Sequence, residues 1–255
     1  MFEKLFKTAK TIRTEAWKPL GLALLDYHRG NKNADLVVRC SVERDRRIDL
    51  NNFYREGLFF NALETEALKF CRGKVLDIGA GAGAHSLKLQ RQGLDVTAID
   101  ISKDAIEVIK ERGVGKAFCS DFFSLAPSGN QNQKFDTLLF MMNGIGIGGT
   151  LNELRKLLSH AHSFLNPGGQ IIFDSTDLEY VWQSDRLAVS LHYPKPDYYG
   201  TVYYQLLYES YEGEPYKWGF YDPETVKKIS KEEGYSFEIL AEEEEHYLGR
   251  LTPVG

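Results

Sequence analysis

The 255-residue chain is 43% hydrophobic, enough for one domain with extensions around a sizeable core. Its formal net charge of -5 argues against a nucleic-acid partner, which would call for a basic face. Three widely spaced cysteines, Cys40, Cys71 and Cys119, form no C-x-x-C pair, so neither a disulfide framework nor a zinc site is indicated and a reducing compartment is implied.

Residues 1–30 read as helix, broken near Pro19-Leu20-Gly21 and ended by Gly30-Asn31. Lys4, Lys7, Lys10, Arg13 and Lys18, set against Glu3 and Glu15, read as the solvated face of an amphipathic helix. The apolar run Leu20 to Leu25 is too short for a signal-peptide core or a membrane span, so a cytoplasmic location with no membrane partner is expected. A short extended piece at Leu36-Val37-Val38 and the charged stretch Glu43 to Arg47 come next. Phe59 to Phe70 has helical spacing, with Phe59, Ala62, Leu63, Ala67 and Phe70 on one face. Residues 1–73 are therefore expected to form an N-terminal helical extension that acts as a lid.

Residues 74–175 alternate strands near 74–78, 95–99, 116–119, 135–141 and 170–174 with helices over 84–92, 103–113 and 150–165, the second capped by Ser102. Such alternation requires parallel pairing with crossover helices. Val75 to Leu87 compresses a buried strand, a glycine turn and a helix start. Gly79, Gly81 and Gly83 let the chain bend and a ligand approach the main chain, and the following helix points unpaired N–H groups at the bend. Asp100 closes the next strand, where a carboxylate can accept hydrogen bonds from both ribose hydroxyls. A turn that merely packs a helix on a strand would explain the glycines; turn and strand-end acid together predict a nucleoside-binding site. Asp77 lies inside the first strand, where a lone carboxylate is costly without donors or a nearby positive charge. Nicotinamide-binding folds usually keep that position apolar and place the third glycine one residue later.

Beyond residue 175 the pattern changes. Residues 191–221 hold nine tyrosines together with Trp218 and Phe220. Alternation from Thr201 to Tyr208, a turn at Glu212-Gly213-Glu214-Pro215 and the segment Tyr216 to Tyr221 predict a hairpin at about 200–221. Packing alone could place these rings, but apolar bodies with polar tips also suit a cap over a ligand. Asp222 and Pro223 open a helix to about Glu233, and Ser236 to Glu242 with His246 to Leu251 read as a closing antiparallel pair.

Asp77-Ile78-Gly79-Ala80-Gly81-Ala82-Gly83 resembles motif I of the class I S-adenosylmethionine-dependent methyltransferases, with Asp100 at the place of their ribose-binding acid. Cys119-Ser120-Asp121-Phe122, Phe135 to Asn143 and Leu165-Asn166-Pro167-Gly168-Gly169 resemble their later motifs in the right order. The whole chain, including Gly21 to Tyr27 and Phe53-Tyr54-Arg55, resembles a bacterial group of that superfamily, a resemblance that names no acceptor. The resemblance implies an α/β fold: a Rossmann-like, seven-stranded, mostly parallel sheet with helices on both faces over residues 74–255, plus the N-terminal extension and the inserted β-hairpin.

It also implies S-adenosylmethionine as cofactor, contacted by Asp77, Gly79, Ala80, Gly81, Gly83, Asp100, Ile101 and Asn143, with Asp121 on the adenine amino group and Phe122 on its ring. Tyr54 and Arg55 are assigned to the cofactor from upstream, Arg55 as a bidentate partner of the methionine carboxylate; an exposed loop arginine is the alternative. Methyl transfer is an in-line displacement that needs alignment and no metal, and a general base only when the nucleophile arrives protonated.

Asn143, ending the fourth strand, is the candidate catalytic residue, with a turn cap before Gly144 as the alternative. No Pro-Pro-aromatic sequence follows it, which points away from nucleic-acid amines and towards a small-molecule acceptor. His85 reads as structural, His160 and His162 as late-helix residues, and His246 either faces the functional end of the sheet or lies on the closing strand. A NAD(P)-dependent oxidoreductase and a non-catalytic S-adenosylmethionine-binding protein are the competing functions.

Overall fold

Strand and helix alternation from residue 74 onward builds a mostly parallel sheet that two antiparallel strands close at one edge, and segments before residue 74 and after residue 200 build a second, smaller one. The computed structural model describes residues 15–56, 59–126, 134–183 and 193–254. The part of the helix expected over residues 1–30 that precedes residue 15, with Lys4, Lys7, Lys10 and Arg13 of its basic stripe, lies outside them.

The N-terminal part comprises α1 (Lys18–His28), β1 (Leu36–Cys40), β2 (Arg46–Ile48), α2 (Asn51–Tyr54) and α3 (Ala62–Phe70). The central part runs β3 (Lys74–Ile78), α4 (Ala84–Arg91), β4 (Asp95–Asp100), α5 (Lys103–Glu111), β5 (Ala117–Cys119), β6 (Phe135–Phe140), α6 (Leu151–His162) and β7 (Leu165–Thr176). The remainder is α7 (Glu179–Gln183), β8 (Thr201–Tyr208), β9 (Tyr211–Glu212), β10 (Tyr216–Gly219), α8 (Pro223–Glu232), β11 (Tyr235–Glu243) and β12 (His246–Pro253).

The large sheet has seven strands in the order β11-β12-β7-β6-β3-β4-β5. β3 pairs in parallel with both β4 and β6, so the strand order reverses there and the carboxyl ends of β3 and β6 border a crevice, where ligands of open α/β sheets bind. The helix caps follow the sequence: Ser102 accepts from the Ala105 N–H at the start of α5, and Asp222 accepts from the Thr225 N–H at the start of α8. The core includes Leu76, Ile99, Leu138, Phe140 and Phe173, all buried.

The expected hairpin is present, and it belongs to a larger structure. β8 pairs antiparallel with β10, β9 and β1, and β1 pairs with β2, giving a second sheet of five strands. The N-terminal segment is therefore helical only in part, because β1 and β2 leave it to join the hairpin. Burial alternates along β1, with Leu36, Val38 and Cys40 inside, and Val38 stands opposite Leu206.

Pro19 and Gly21 do not break α1. The helix begins at Lys18 with Pro19 in its first turn, where proline's missing N–H and fixed φ cost nothing. Gly21 serves close packing: a Cβ there would lie 2.1 Å from the Ser102 Oγ. α1 is wedged between α5 and the small sheet, with Ala23, Leu24, Leu36, Ala105, Val108 and Leu206 in one buried cluster.

Candidate active site

A cleft of about 1470 Å³ lies along the carboxyl edge of the large sheet and continues beneath the small one. That volume exceeds the roughly 300–1,000 Å³ of a single small-ligand pocket, leaving room for two molecules.

The glycine turn forms one wall. Gly79 and Gly81 have φ of 73° and 57°, and a Cβ at Gly79 would meet nothing within 4 Å, so its outer side is open. The Gly81 N–H donates to Asp100 Oδ2 at 2.9 Å, and the Ser102 N–H donates to Oδ1 at 2.8 Å. Burial pushes the Asp100 carboxyl up to about 6 against these two stabilising bonds. Ile101 and Asp121 also line the cleft. Gly83 caps α4 and does not line the cleft; it packs on α5, where a Cβ would come within 3.2 Å of Ile109 Cγ1.

Asp77 is buried beneath the turn and accepts a hydrogen bond from the Ser86 hydroxyl. Burial raises its pKa, with His85 as the nearby positive influence. Donor and neighbour are those that a carboxylate inside a strand requires.

His85 is 3.0 Å from Glu64 Oε1, and Arg55 Nη2 donates to the same oxygen at 2.6 Å. Glu64 is only 2% exposed. Burial pushes its pKa up, but the hydrogen bond and charge of His85, the Asn61 N–H and the Arg55 charge outweigh it and hold the carboxyl below its usual value. Glu64 also closes a capping box with Asn61 at the start of α3. The Asn-x-x-Glu spacing is a local signal that would have moved the expected helix start from Phe59 to Ala62; the ion pair has none.

The segment ahead of α3 corrects one expectation. Tyr54 does not line the cleft: its hydroxyl donates to the Leu24 carbonyl at 2.6 Å and its ring packs on Tyr27. Its neighbour Phe53 lines the cleft instead and covers the glycine turn, 3.1 Å from where a Cβ on Gly81 would sit. Helical rotation of α2 decides between adjacent aromatics, which the sequence does not fix. Arg112, also missed, donates to the Ala82 carbonyl at 2.6 Å and to Glu56 at 3.0 Å, fastening this segment to the turn.

Phe122 touches the cleft but is only 3% exposed, packed edge-on against Phe140 and His160. Phe123, at 39% exposure, presents the accessible ring beside it. Asp121 accepts from the Phe123 N–H at 3.0 Å.

At the opposite wall Met142 and Asn143 both adopt left-handed conformations, with φ of 61° and 56°. Consecutive non-glycine residues in that region store roughly 1–3 kcal/mol each and persist only where the surroundings impose them. Here they do: the Asn143 N–H meets both Asp174 oxygens at 3.0 Å, its carbonyl accepts from Trp218 Nε1 at 3.1 Å and its Oδ1 accepts from the Thr176 hydroxyl at 2.9 Å. Burial pushes Asp174 up to about 6. The remaining wall is aromatic. Trp17 packs on Tyr216 with ring centroids 4.5 Å apart, Trp218 and Tyr204 extend the cluster, and all line the cleft.

These residues fit a nucleoside joined to an amino acid. Arg55 lines the cleft and its Nε is buried without a hydrogen-bond partner among the described residues, a vacant donor suited to a carboxylate. Asp100 keeps acceptor capacity for hydroxyls beyond the two bonds it makes. Among the described residues no cluster of metal-ligating side chains is found.

Fold and site together define a Rossmann-like, class I methyltransferase. The family model for a methyltransferase domain matches residues 75–169. A crystal structure of an S-adenosylmethionine-dependent methyltransferase from Bacteroides fragilis, in complex with S-adenosylhomocysteine, is 32% identical, with a TM-score of 0.84 over 96% of this chain and 98% of that one. The chain belongs to the S-adenosylmethionine-dependent methyltransferases. The cypemycin N-terminal methyltransferase of Streptomyces is 28% identical over 123 residues, 47% of this chain and 49% of that protein. The match thus spans about half the length of such curated relatives. CcbJ methyltransferase from Streptomyces caelestis, 16% identical with a TM-score of 0.56 over 76% of this chain and 89% of that one, shares the fold.

Proposed function

We propose that the protein methylates a small-molecule acceptor held beneath the small sheet, with S-adenosylmethionine in the glycine-turn half of the cleft. The observation that carries this reading is the continuity of one cleft from Asp100 and the glycine turn to the wall of Trp17, Tyr204, Tyr216 and Trp218. When bound, the cofactor supplies an electrophilic methyl carbon on a sulfonium.

The protein's task is then alignment and exclusion of water. Asp100 accepts the ribose hydroxyls, Asp121 the adenine amine, and Arg55 pairs with the amino-acid carboxylate. Gly79, Ala80, Gly81 and Ile101 let the main chain approach, and Asp77 holds the turn from below through Ser86. Asn143, fixed at both main-chain groups, faces the reacting centre. Holding the two reactants in line is worth roughly 7–11 kcal/mol of barrier. The rings shield the transfer from water, and the N-terminal segment serves as the lid, through Phe53 above the turn.

We place the protein in the cytoplasm, where its free thiols Cys40, Cys71 and Cys119 stay reduced, with neither nucleic acid nor membrane as partner. Among the described residues no helix is long and apolar enough to cross a membrane. Calorimetry with S-adenosylhomocysteine and with NADH tests the reading: saturable binding of the first alone is expected, and binding of NADH alone refutes it. Release of S-adenosylhomocysteine on addition of an acceptor separates the enzyme from a protein that only binds cofactor.

A further inference from the structure

The acceptor side of the cleft contains a row of polar side chains with a direction to it. β6, β7 and β12 are neighbours in the large sheet. Asn143 follows the first, Thr176 ends the second and His246 begins the third, paired in register with Thr176. The Thr176 hydroxyl donates to Asn143 Oδ1 at 2.9 Å and lies 2.9 Å from His246 Nδ1. A hydroxyl has one proton to give. With that proton on the amide oxygen, Thr176 can only accept from the imidazole, so Nδ1 carries the hydrogen and the lone pair of the neutral ring is on Nε2. His246 is exposed and lines the cleft, and among the described residues its Nε2 makes no hydrogen bond.

We infer that His246 is the general base for methyl transfer, with Thr176 and Asn143 as positioning residues that set its tautomer. This rests on the methyltransferase reading above and narrows the acceptor to a nucleophile that arrives with a proton, an amine or a hydroxyl, as opposed to a thioether. The acceptor's N–H or O–H proton passes to Nε2, and the freed lone pair forms the bond to the methyl carbon. The carbon–sulfur bond breaks with its electron pair going to sulfur, and the proton leaves the imidazolium for water. Imidazole is the side chain best matched to such a transfer near neutral pH.

The sense of the row is carried by Asn143, whose amide oxygen accepts from the Thr176 hydroxyl. Its N–H is held by Asp174 and its carbonyl by Trp218, so the side chain enters the row from a backbone that cannot rotate. A reversed amide would give Thr176 an N–H to accept, turn its hydroxyl towards Nδ1 and place the imidazole proton on Nε2, removing the base.

Long-range ¹H–¹⁵N correlation spectra of the full chain labelled with ¹⁵N-histidine decide between the two, with the His246 signals assigned by H246Q. The expected spectrum at neutral pH has His246 Nε2 downfield of Nδ1, the pattern of an Nδ1-protonated ring. T176V should invert that order towards the tautomer free imidazole prefers, and T176S should restore it. An Nε2-protonated ring in the unmodified protein, or one indifferent to T176V, overturns the inference.

Carbethoxylation by diethyl pyrocarbonate supplies a second readout that does not depend on the variants. His246 should react ahead of His160, whose Nε2 is occupied by the Phe122 carbonyl at 2.9 Å, and equal or slower modification counts against an available lone pair. Calorimetry with S-adenosylhomocysteine on the same samples separates the two levels. Absent binding refutes the methyltransferase reading, whereas normal binding with the wrong tautomer refutes only the base.

Discussion

Replacing Asp100 by Asn tests the cofactor half of the cleft where its geometry is most constrained. Each carboxylate oxygen already accepts one main-chain N–H, from Gly81 at 2.9 Å and Ser102 at 2.8 Å, leaving one further acceptor site per oxygen for a ribose hydroxyl. The amide keeps one oxygen and sets an NH₂ where the other stood, so one hydroxyl loses its charged acceptor and one main-chain donor faces another donor. Loss of a hydrogen bond to a charged group costs about 1.5–3 kcal/mol, or roughly 10- to 150-fold in the dissociation constant of S-adenosylhomocysteine measured by calorimetry.

The same carboxyl gives a pH test. It is pushed up to about 6 in the free protein by burial, and the hydroxyls bind its ionised form. Affinity should therefore hold above pH 6 and fall as pH drops through 6, by up to about tenfold per unit. The Asn variant should lose that slope. Unchanged affinity, or a slope identical in both proteins, would remove Asp100 from the ribose site.

Asp174→Asn should stabilise the free protein at pH 7.5 by about 1–3 kcal/mol and much less at pH 4.5, read as urea midpoints. The sign follows from a folded-state pKa of about 6, above the unfolded value: stability from this group is full at low pH and is lost as pH rises to about 6. Equal effects at both pH values would contradict it. Glu64→Gln should destabilise by about 3 kcal/mol in the same assay, because it leaves the Arg55 guanidinium partly buried and without its carboxylate. Since the Glu64 carboxyl is held below its usual value, its contribution should fade as acid protonates it, and a variant as stable as the parent at pH 7 would show that the ion pair is unimportant. Gly21→Ala should cost about 1–3 kcal/mol despite better helix propensity, because the new Cβ displaces the Ser102 cap of α5; a rise in the thermal midpoint would refute the contact.

The large sheet was legible because its signals are local. β3, β4 and β6 each coincide with an apolar run, and the glycine turn and Asp100 sit where their spacing places them. The second sheet was legible only as its hairpin, because the pairing of Val38 with Leu206 joins segments far apart in the chain, and the Leu36-Val37-Val38 piece carries no local sign of its partner. Between neighbours the pattern failed in a similar way. Phe53 and Tyr54, and Phe122 and Phe123, are adjacent aromatics whose roles depend on how a short helical turn is rotated against the core. The Arg55–Glu64–His85 cluster draws on three segments, and only its capping box had a local signature.

The two halves of the cleft are built by different means, and the join between them explains the strained turn after β6. The cofactor half uses main-chain groups and carboxylates at the ends of parallel strands, fixed once the sheet forms. The acceptor half depends on a separate sheet supported by α1, whose position is held by packing on α5 and by the Tyr208 hydroxyl on Asp26 at 2.8 Å. A reaction between ligands in the two halves requires them to keep a fixed distance. Asn143 ties the two sheets together: Asp174 of the large sheet holds its N–H, Trp218 of the small sheet holds its carbonyl, and its backbone is left-handed. The strain at Met142 and Asn143 is then the cost of tying the two sheets together, next to the place where the proposed transfer would depend on alignment.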